Sequence, residues 1–321
     1  MSYRASIVIR EGGKSSFHGL SLYDPLPYLF LRPGQLKAFV DSTRFDLSGL
    51  NNVWSETGIP MDADGKQLLY FGSDNSTWEI GFRKVLDAFL ERSLWPGWNV
   101  RFCPRHLVDF AEALGLESPM TPWLGDAPDL YDLKYWIGGE SRLDSLNDGE
   151  ISSAIMVRKG GAHYLHTIDS MYVTDILDHG EELVAPLLKP GLDKLVSGVD
   201  GDGLCSSALI DCDGRILTYW YVDEDRPPEY FQRFWPGWEL VDIQDDYQAF
   251  SKATGGIVTF DESIDMERAI AGIRACNHID IYDDKPTIPP EKFESMLLSF
   301  LAGYQPCLAD LGSFLQGCLS S

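Results

Sequence analysis

The first half of the chain alternates between two patterns of apolar residues. Short runs of β-branched and aromatic residues predict strands, and longer stretches with apolar residues three or four positions apart predict helices. Asp64-Gly65 lies between two strand-like runs and predicts a hairpin whose tight turn has positive φ angles. The predicted order is β, α, β-hairpin, α, β, α, with the elements at 6–9, 35–40, 61–71, 78–94, 98–102 and 107–114.

The second half of the chain repeats this pattern, and the repeat includes an unusual tetrapeptide. Trp95-Pro96-Gly97-Trp98 returns as Trp235-Pro236-Gly237-Trp238, 140 positions later. The turns Gly12-Gly13 and Asp64-Gly65 return in the same order, 148 and 149 positions later. Ordered copies of such motifs indicate the duplication of a module of about one domain's length, which is longer than a solenoid repeat.

The duplication predicts the domain organisation and the fold class. We expect a first α+β module at 1–118 and a second at 151–258, each a small mixed sheet with helices. Residues 119–150 are rich in Pro, Gly, Trp and Tyr and are predicted to form an ordered connector. A C-terminal helical extension is expected at 259–321, with amphipathic helices at 263–276, 291–301 and 308–319.

The chain is strongly acidic, and the acidity is uneven. Its 26 Lys and Arg and 49 Asp and Glu give a net charge of −23 at pH 7. Residues 1–150 contribute −7 and residues 151–321 contribute −16. A surface of this sign repels nucleic acid and anionic membranes, because both are bound through Lys and Arg. We therefore expect a cationic protein partner, with a plain solvated acidic surface as the alternative.

The start of the chain and its cysteines predict a cytoplasmic protein. The first residues contain no apolar core of signal-peptide length, and no stretch of the chain approaches 18 apolar residues. The six cysteines form no C-x-x-C pair and do not fall at matching positions in the two copies. We expect thiols without a disulfide framework or a zinc site.

Sequence motifs for catalysis and metal binding are missing. The chain has no G-x-S-x-G, P-loop or H-E-x-x-H sequence, so we expect neither an enzyme nor a cofactor. His163 and His166 lie in a strand-like run, which predicts opposite faces instead of a metal site. The Asp62–Gly65 and Asp200–Gly203 turns lack the Glu that closes a calcium loop. We interpret Trp-Pro-Gly-Trp as structural, because Pro fixes φ, Gly permits an unusual backbone angle and the two Trp rings fill a core.

The remaining candidate site is a series of carboxylates interleaved with Tyr in and after the second copy. Copy one differs here, with Asn99 and Arg101 at the positions of Glu239 and Val241. Carboxylates beside Tyr form a surface that can capture Lys and Arg of a basic partner. The predicted partner-binding residues are Tyr221, Asp223, Glu224, Asp225, Glu239, Asp242, Asp245, Asp246, Tyr247, Asp280, Tyr282, Asp283 and Asp284.

An acidic, duplicated α+β chain without catalytic motifs resembles bacterial immunity proteins, which neutralise toxins of type VI or contact-dependent secretion systems. The resemblance is one of overall character along the chain and supplies no site residues. It implies that the chain blocks the substrate surface of a basic toxin such as a nuclease effector, because nucleases bind phosphate in basic clefts. Two alternatives stay open: an enzyme of unrecognised class with a site between the modules, and a scaffold or regulatory subunit.

Overall fold

Helices and two five-stranded mixed sheets make up the protein in a computed structural model, which confirms the α+β class. The structure describes residues 5–20, 26–43, 57–72, 80–116, 151–169, 172–197, 204–222, 226, 228–260, 266–278 and 288–304. The predicted connector at 119–150 and the predicted helix at 308–319 lie outside these residues.

The first sheet alternates antiparallel and parallel pairs. Its strands are β1 (Ala5–Glu11), β2 (Lys14–Leu20), β3 (Thr57–Asp62), β4 (Gln67–Tyr70) and β5 (Asn99–Phe102). The order across the sheet is β2-β1-β3-β4-β5. The β1–β2 and β3–β4 pairs are antiparallel, whereas the β1–β3 and β4–β5 pairs are parallel.

The second sheet has the same arrangement. Its strands are β6 (Ile151–Lys159), β7 (Ala162–Asp169), β9 (Ser206–Asp211), β10 (Ile216–Tyr221) and β11 (Glu239–Asp242), while β8 (Leu195–Ser197) and β12 (Val258–Phe260) form a separate parallel pair. From one edge the order is β7-β6-β9-β10-β11, with the same alternation of antiparallel and parallel pairs. The two sheets are therefore one topology built twice.

Strand register shows that the duplication extends to individual residue pairs. Ile7 lies opposite Ile59 in the first sheet. Ile155 lies opposite Ala208 in the second sheet. Ile155 follows Ile7 by 148 positions and Ala208 follows Ile59 by 149. The one extra residue of copy two lies between the strands, so it leaves the pairing unchanged and every side chain keeps its face.

Both predicted Asp-Gly hairpins form, but their turns differ from the prediction in which residue adopts a positive φ angle. They join β3 to β4 and β9 to β10. The positive φ angles fall on the residue after the glycine, Lys66 (51°) and Arg215 (53°). Gly65 and Gly214 do not adopt positive φ, so the expected reason for these glycines was wrong.

The Gly-Gly turns close additional hairpins whose second strands, β2 and β7, were missing from the predicted order. Both are edge strands. Ser15, Ser16 and His18 interrupt the apolar pattern in β2. An edge strand tolerates such residues because it has a neighbouring strand along one edge only, and its other edge is not covered by the sheet.

Short helices accompany each sheet. The helices are α1 (Leu26–Leu29), α2 (Pro33–Thr43), α3 (Ile80–Phe89), α4 (His106–Leu114), α5 (Val173–Ile176), α6 (Val184–Leu187), α7 (Pro228–Gln232), α8 (Tyr247–Ala253), α9 (Met266–His278) and α10 (Pro290–Gly303). A π-helical turn at Leu90–Leu94 continues α3, and a 3₁₀ helix at Leu177–Leu183 joins α5 to α6. Apart from the region outside the described residues, each predicted helix has a counterpart here.

The described elements divide into two compact units. Unit 1 contains the first sheet, α1 to α3 and the C-terminal helices α9 and α10. Unit 2 contains the second sheet, α5 to α8, the β8–β12 pair and also α4. These units are defined by contacts between residues, whereas the module boundaries were drawn from the sequence repeat. The module boundaries therefore stay a prediction.

Each Trp-Pro-Gly-Trp motif ties its own unit together. The indole Nε1–H of the buried Trp95 donates to the Leu29 carbonyl at 2.7 Å. In unit 2, Trp235 donates in the same way to Leu177 at 2.8 Å. In both motifs the two Trp rings meet edge to face with centroids 5.0 Å apart. The motif therefore has the structural role that its sequence predicted.

The C-terminal helices complete the core of unit 1. Phe293 of α10 contacts Phe30 and Phe89 with ring centroids 6.1 and 5.9 Å apart. Phe300, two turns later on the same helix, meets Phe89 at 5.4 Å. Gly272 of α9 lies against Phe82, because a Cβ there would come within 2.8 Å of the ring.

Candidate binding surface

The predicted acidic surface centres on β11, an edge strand of the second sheet that pairs with β10 alone in this sheet. Glu239 and Asp242 begin and end β11, and Asp245 and Asp246 follow in the turn before α8. Tyr221 ends β10 and Tyr247 begins α8. The remaining predicted residues, Asp223, Glu224, Asp225, Asp280, Tyr282, Asp283 and Asp284, lie outside the described residues.

Tyr221 and Asp242 form an internal pair. The ring of Tyr221 is buried, and its hydroxyl donates to Asp242 Oδ2 at 2.9 Å. Asp242 Oδ1 accepts the backbone N–H of Gln244 at 2.8 Å. Burial raises the pKa of Asp242, although these two hydrogen bonds and the charge of Arg105 oppose the rise. The pair therefore shapes the edge of the sheet and does not present a free ring to a partner.

Arg105, at the start of α4, brings a buried ion pair close to this edge. Its guanidinium bonds Asp109 at 2.9 Å and Glu112 at 2.6 Å. The two carboxylates raise the pKa of Arg105, although burial opposes them as the largest single effect. Asp109 is 2% exposed, so the pair is fixed and the positive charge beside Asp242 is permanent.

Tyr247 also lies inside unit 2. It is buried, and its ring meets Phe260 of β12 edge to face at 5.4 Å. Phe260 in turn packs on Trp220 at 4.8 Å. Tyr221 and Tyr247, the two described aromatic residues of the predicted site, thus belong to the core, and the described residues left for a surface contact are carboxylates.

The accessible carboxylates of this region are those of Glu239, Asp245 and Asp246. Glu239 and Asp246 are exposed and Asp245 is half-buried. Asp246 also caps α8, because its Oδ1 accepts the N–H of Ala249 at 2.8 Å. This bond uses one oxygen of an exposed carboxylate, and the negative charge remains at the surface.

The equivalent positions of copy one lack these carboxylates. Residues 239–246 match residues 99–106 at the spacing of the Trp-Pro-Gly-Trp motifs, and β11 pairs with β10 in the register of β5 with β4. Copy one has Arg105 and His106 where copy two has Asp245 and Asp246. The negative surface is therefore a property of copy two and not of the repeated fold.

The other polar motifs of the sequence have structural roles. Asp64 accepts the N–H groups of Gly12 and Gly13 at 2.8 and 2.7 Å, which lowers the pKa of its carboxyl. His163 is exposed and His166 is buried, as expected for opposite faces of a strand. In the described part of the chain, no three His, Cys, Asp or Glu side chains are grouped closely enough to hold a metal ion. The Asp200–Gly203 turn lies outside that part.

Sequence analysis missed a second polar site in unit 2, between the 3₁₀ helix and α7. Tyr230 donates its hydroxyl to Asp178 Oδ2 at 2.8 Å. Arg226 pairs with Asp175 at 2.9 Å, and Arg233 lies 4.0 Å above the Tyr230 ring. The π-helical turn of copy one holds one residue more than the corresponding turn of copy two. The two copies align at this site only when that extra residue is taken into account, so the sequence repeat alone did not reveal it.

No described helix combines the length and the apolar character that crossing a bilayer requires. Comparison with known proteins gives the chain no relative: no protein-family model, no curated protein and no solved structure matches it.

Proposed function

We propose that this chain is a cytoplasmic inhibitor that binds a basic protein, a toxin such as a nuclease effector, through the acidic edge of unit 2. The observation that carries the proposal is that copy two has the carboxylates Glu239, Asp245 and Asp246 where copy one has Asn99, Arg105 and His106. These carboxylates lie on an edge strand, where Glu239 is exposed, and in the turn that follows it, where Asp246 is exposed. Their placement at this edge supports a binding role.

The physical contribution of this surface is electrostatic. Glu239, Asp245 and Asp246 add to a net charge of −23, which attracts a cationic protein over distances up to about 10 Å at moderate salt. Once the partner has docked, its Lys and Arg side chains pair with carboxylates held on a strand and on a helix cap. A basic cleft covered in this way cannot bind phosphate.

A triple variant tests the proposal. In Glu239→Gln/Asp245→Asn/Asp246→Asn three charges are removed while the side-chain shapes, and the helix cap at residue 246, are kept. We expect binding to a basic protein that co-purifies with the wild-type chain to weaken roughly tenfold, at about 0.5 kcal/mol for each exposed ion pair. Isothermal titration calorimetry at 50 and 300 mM NaCl measures this loss, and wild-type affinity should fall with salt.

The matched control removes the same number of charges elsewhere in unit 2. Glu182, Asp193 and Glu229 are exposed and lie outside β11 and its turn. The Glu182→Gln/Asp193→Asn/Glu229→Gln variant should retain affinity within about twofold. Equal losses in the two triple variants, or an affinity that does not change with salt, would overturn the proposal.

A further inference from the structure

The face of unit 2 formed by Tyr230, Arg233 and Phe234 combines an exposed cation with half-buried aromatic rings. Arg233 is exposed, and Tyr230 and Phe234 are half-buried. The guanidinium of Arg233 lies 4.0 Å from the Tyr230 ring centroid and 4.5 Å from that of Phe234. Among the described residues, no carboxylate forms an ion pair with Arg233.

This face is held in a fixed geometry. Gly180 of the 3₁₀ helix lies directly against the backbone of Phe234, since a Cβ at residue 180 would come within 2.2 Å of the Phe234 carbonyl oxygen. Gly180 adopts φ of +60°, a conformation that favours glycine. The Asp178–Tyr230 hydrogen bond fixes the other side. Because these side chains are already ordered, a partner that binds here loses little affinity to conformational entropy.

Arg233 has a structural counterpart, Arg92, in unit 1. The Trp95 N–H donates to the Leu90 carbonyl at 2.7 Å, and the Trp235 N–H donates to the Phe231 carbonyl at 3.2 Å. Each arginine lies two residues after that acceptor. The π-helical turn of copy one holds one more residue than the turn of copy two, so spacing from the Trp alone conceals the match.

In unit 1 the equivalent face binds a helix end. Arg92 Nη1 donates to the Gly303 carbonyl at 3.2 Å, where α10 ends. Its guanidinium also lies 5.8 Å from the Phe300 ring and 5.6 Å from the Tyr304 ring. The arginine thus neutralises the negative end of the helix dipole and covers the aromatic side chains of the same turn.

We propose that the Tyr230–Arg233–Phe234 face of unit 2 is a second helix-docking site, which binds the C-terminal turn of an amphipathic helix from a partner protein. Arg233 caps the last carbonyls of that helix, as Arg92 caps α10. An aromatic residue in its final turn stacks on the guanidinium and on Phe234. This site uses none of the carboxylates of the acidic edge, so it stands whether or not the inhibitor proposal holds.

The same comparison defines how the partner helix differs from α10. Phe30 and Phe89 contact Phe293 in unit 1, and the equivalent positions in unit 2 hold Asp178 and Tyr230. Asp178 is buried, accepts the Tyr230 hydroxyl and lies 3.9 Å from Arg226, so a phenylalanine at this position would pack on a polar cluster instead of on two aromatic rings. We expect the partner to carry a cationic or hydrogen-bonding residue about two turns before its aromatic residue.

Peptide binding to the full chain tests this site. Two fluorescein-labelled peptides serve as ligands: residues 288–304 of this chain, and the same peptide with Phe293→Lys. We expect both to raise fluorescence anisotropy, with the Lys peptide binding several-fold more tightly because it faces Asp178. Arg233→Ala should weaken the Lys peptide about tenfold, and Arg233→Lys should recover only part of the loss, since lysine lacks the planar stacking group.

Arg92→Ala is the matched control, because Arg92 occupies the same position in unit 1. The Arg92→Ala chain should bind the Lys peptide at least as tightly as the wild-type chain does. Binding that is lost in Arg92→Ala and kept in Arg233→Ala would place the peptide on unit 1 and overturn the proposal. Failure of both peptides to bind wild type at 1 mM, or a concentration-dependent dimer of the chain that Arg233→Ala abolishes, would overturn it as well.

Discussion

Gly65 and Gly214 occupy the same turn position in the two modules, but only one of them is confined by its surroundings. A Cβ at Gly65 would lie 2.5 Å from Asp62 Oδ2, whereas the nearest atom at Gly214 is Ile216 Cδ1 at 3.3 Å. The Asp62 carboxylate cannot easily move away, because its Oδ1 accepts two backbone N–H groups at 3.0 and 3.1 Å. Close approach, and not the φ angle, therefore explains the glycine at 65.

Alanine substitutions separate these two positions. Gly65→Ala should lower the free energy of unfolding by about 1–3 kcal/mol, the usual cost of forcing an extra methyl group into packed atoms. Gly214→Ala should change it by less than about 1 kcal/mol, since lower entropy of the unfolded chain offsets a mild contact. Urea denaturation followed by circular dichroism measures both, and equal effects would contradict the interpretation.

His166 gives the stability of unit 2 a dependence on pH. Burial, followed by the charge of Lys189, lowers its pKa below the ordinary value of 6.5, although hydrogen bonds such as that to the Leu187 carbonyl oppose this. The unfolded chain therefore binds a proton more readily than the folded chain. Stability that is present above pH 6.5 is lost as the pH falls through the lowered folded-state pKa.

The prediction is a loss of up to about 1.4 kcal/mol per pH unit from this group below pH 6.5. His166→Gln keeps a hydrogen-bond donor but cannot be protonated, so its free energy of unfolding should fall less between pH 7.5 and 5.5. His163→Gln, at an exposed position of the same strand, is the control and should follow wild type. Identical pH profiles for wild type and His166→Gln would contradict this role.

At the scale of elements, α10 is held on unit 1 by an aromatic cluster. Phe293 is 1% exposed and lies between Phe30 and Phe89, whereas Leu298 on the same helix is 36% exposed. Phe293→Ala should destabilise unit 1 by about 3–5 kcal/mol, because it leaves a cavity beside the Phe30 and Phe89 rings. Leu298→Ala should cost less than about 1 kcal/mol.

Chemical denaturation measures both effects, and hydrogen exchange locates them. In Phe293→Ala the amides of α10 should exchange faster than those of the second sheet, if the helix detaches locally. Uniform acceleration across both sheets would contradict a local role for this helix.

The amphipathic pattern predicted α9 and α10, but it did not predict which surface these helices pack against. Their apolar faces would suit many surfaces. The choice of unit 1 follows from Phe30 and Phe89, whose counterparts in copy two are Asp178 and Tyr230. That correspondence depends on the π-helical turn, which becomes visible only when the hydrogen bonds of Trp95 and Trp235 are compared.

At the scale of the whole molecule, duplication and charge act independently. The two sheets share topology and register, which preserves the hydrophobic core. Surface residues are not constrained in this way, and copy two carries the carboxylates Glu239, Asp245 and Asp246, which copy one lacks. If the proposed partner binds at β11, we expect the salt dependence of binding to come from the second copy, which the triple variant tests.

The sequence by itself determined the duplication, the strand and helix order of most of each module, and the excess of carboxylates in the second half. These depend on local patterns and on composition, which a linear chain carries completely. The core role of the Trp-Pro-Gly-Trp motifs was also predicted, because Pro restricts φ and Gly permits a tight turn wherever they occur.

Only the tertiary structure decided which predicted residues reach the surface. Tyr221 and Tyr247 alternate with carboxylates in the sequence, yet their rings are buried, because strand and helix geometry turn neighbouring side chains to opposite faces. The pairing of Arg92 with a helix end, and the equivalent position of Arg233, likewise depend on contacts between residues distant in sequence. Such contacts form through packing, which no local pattern encodes.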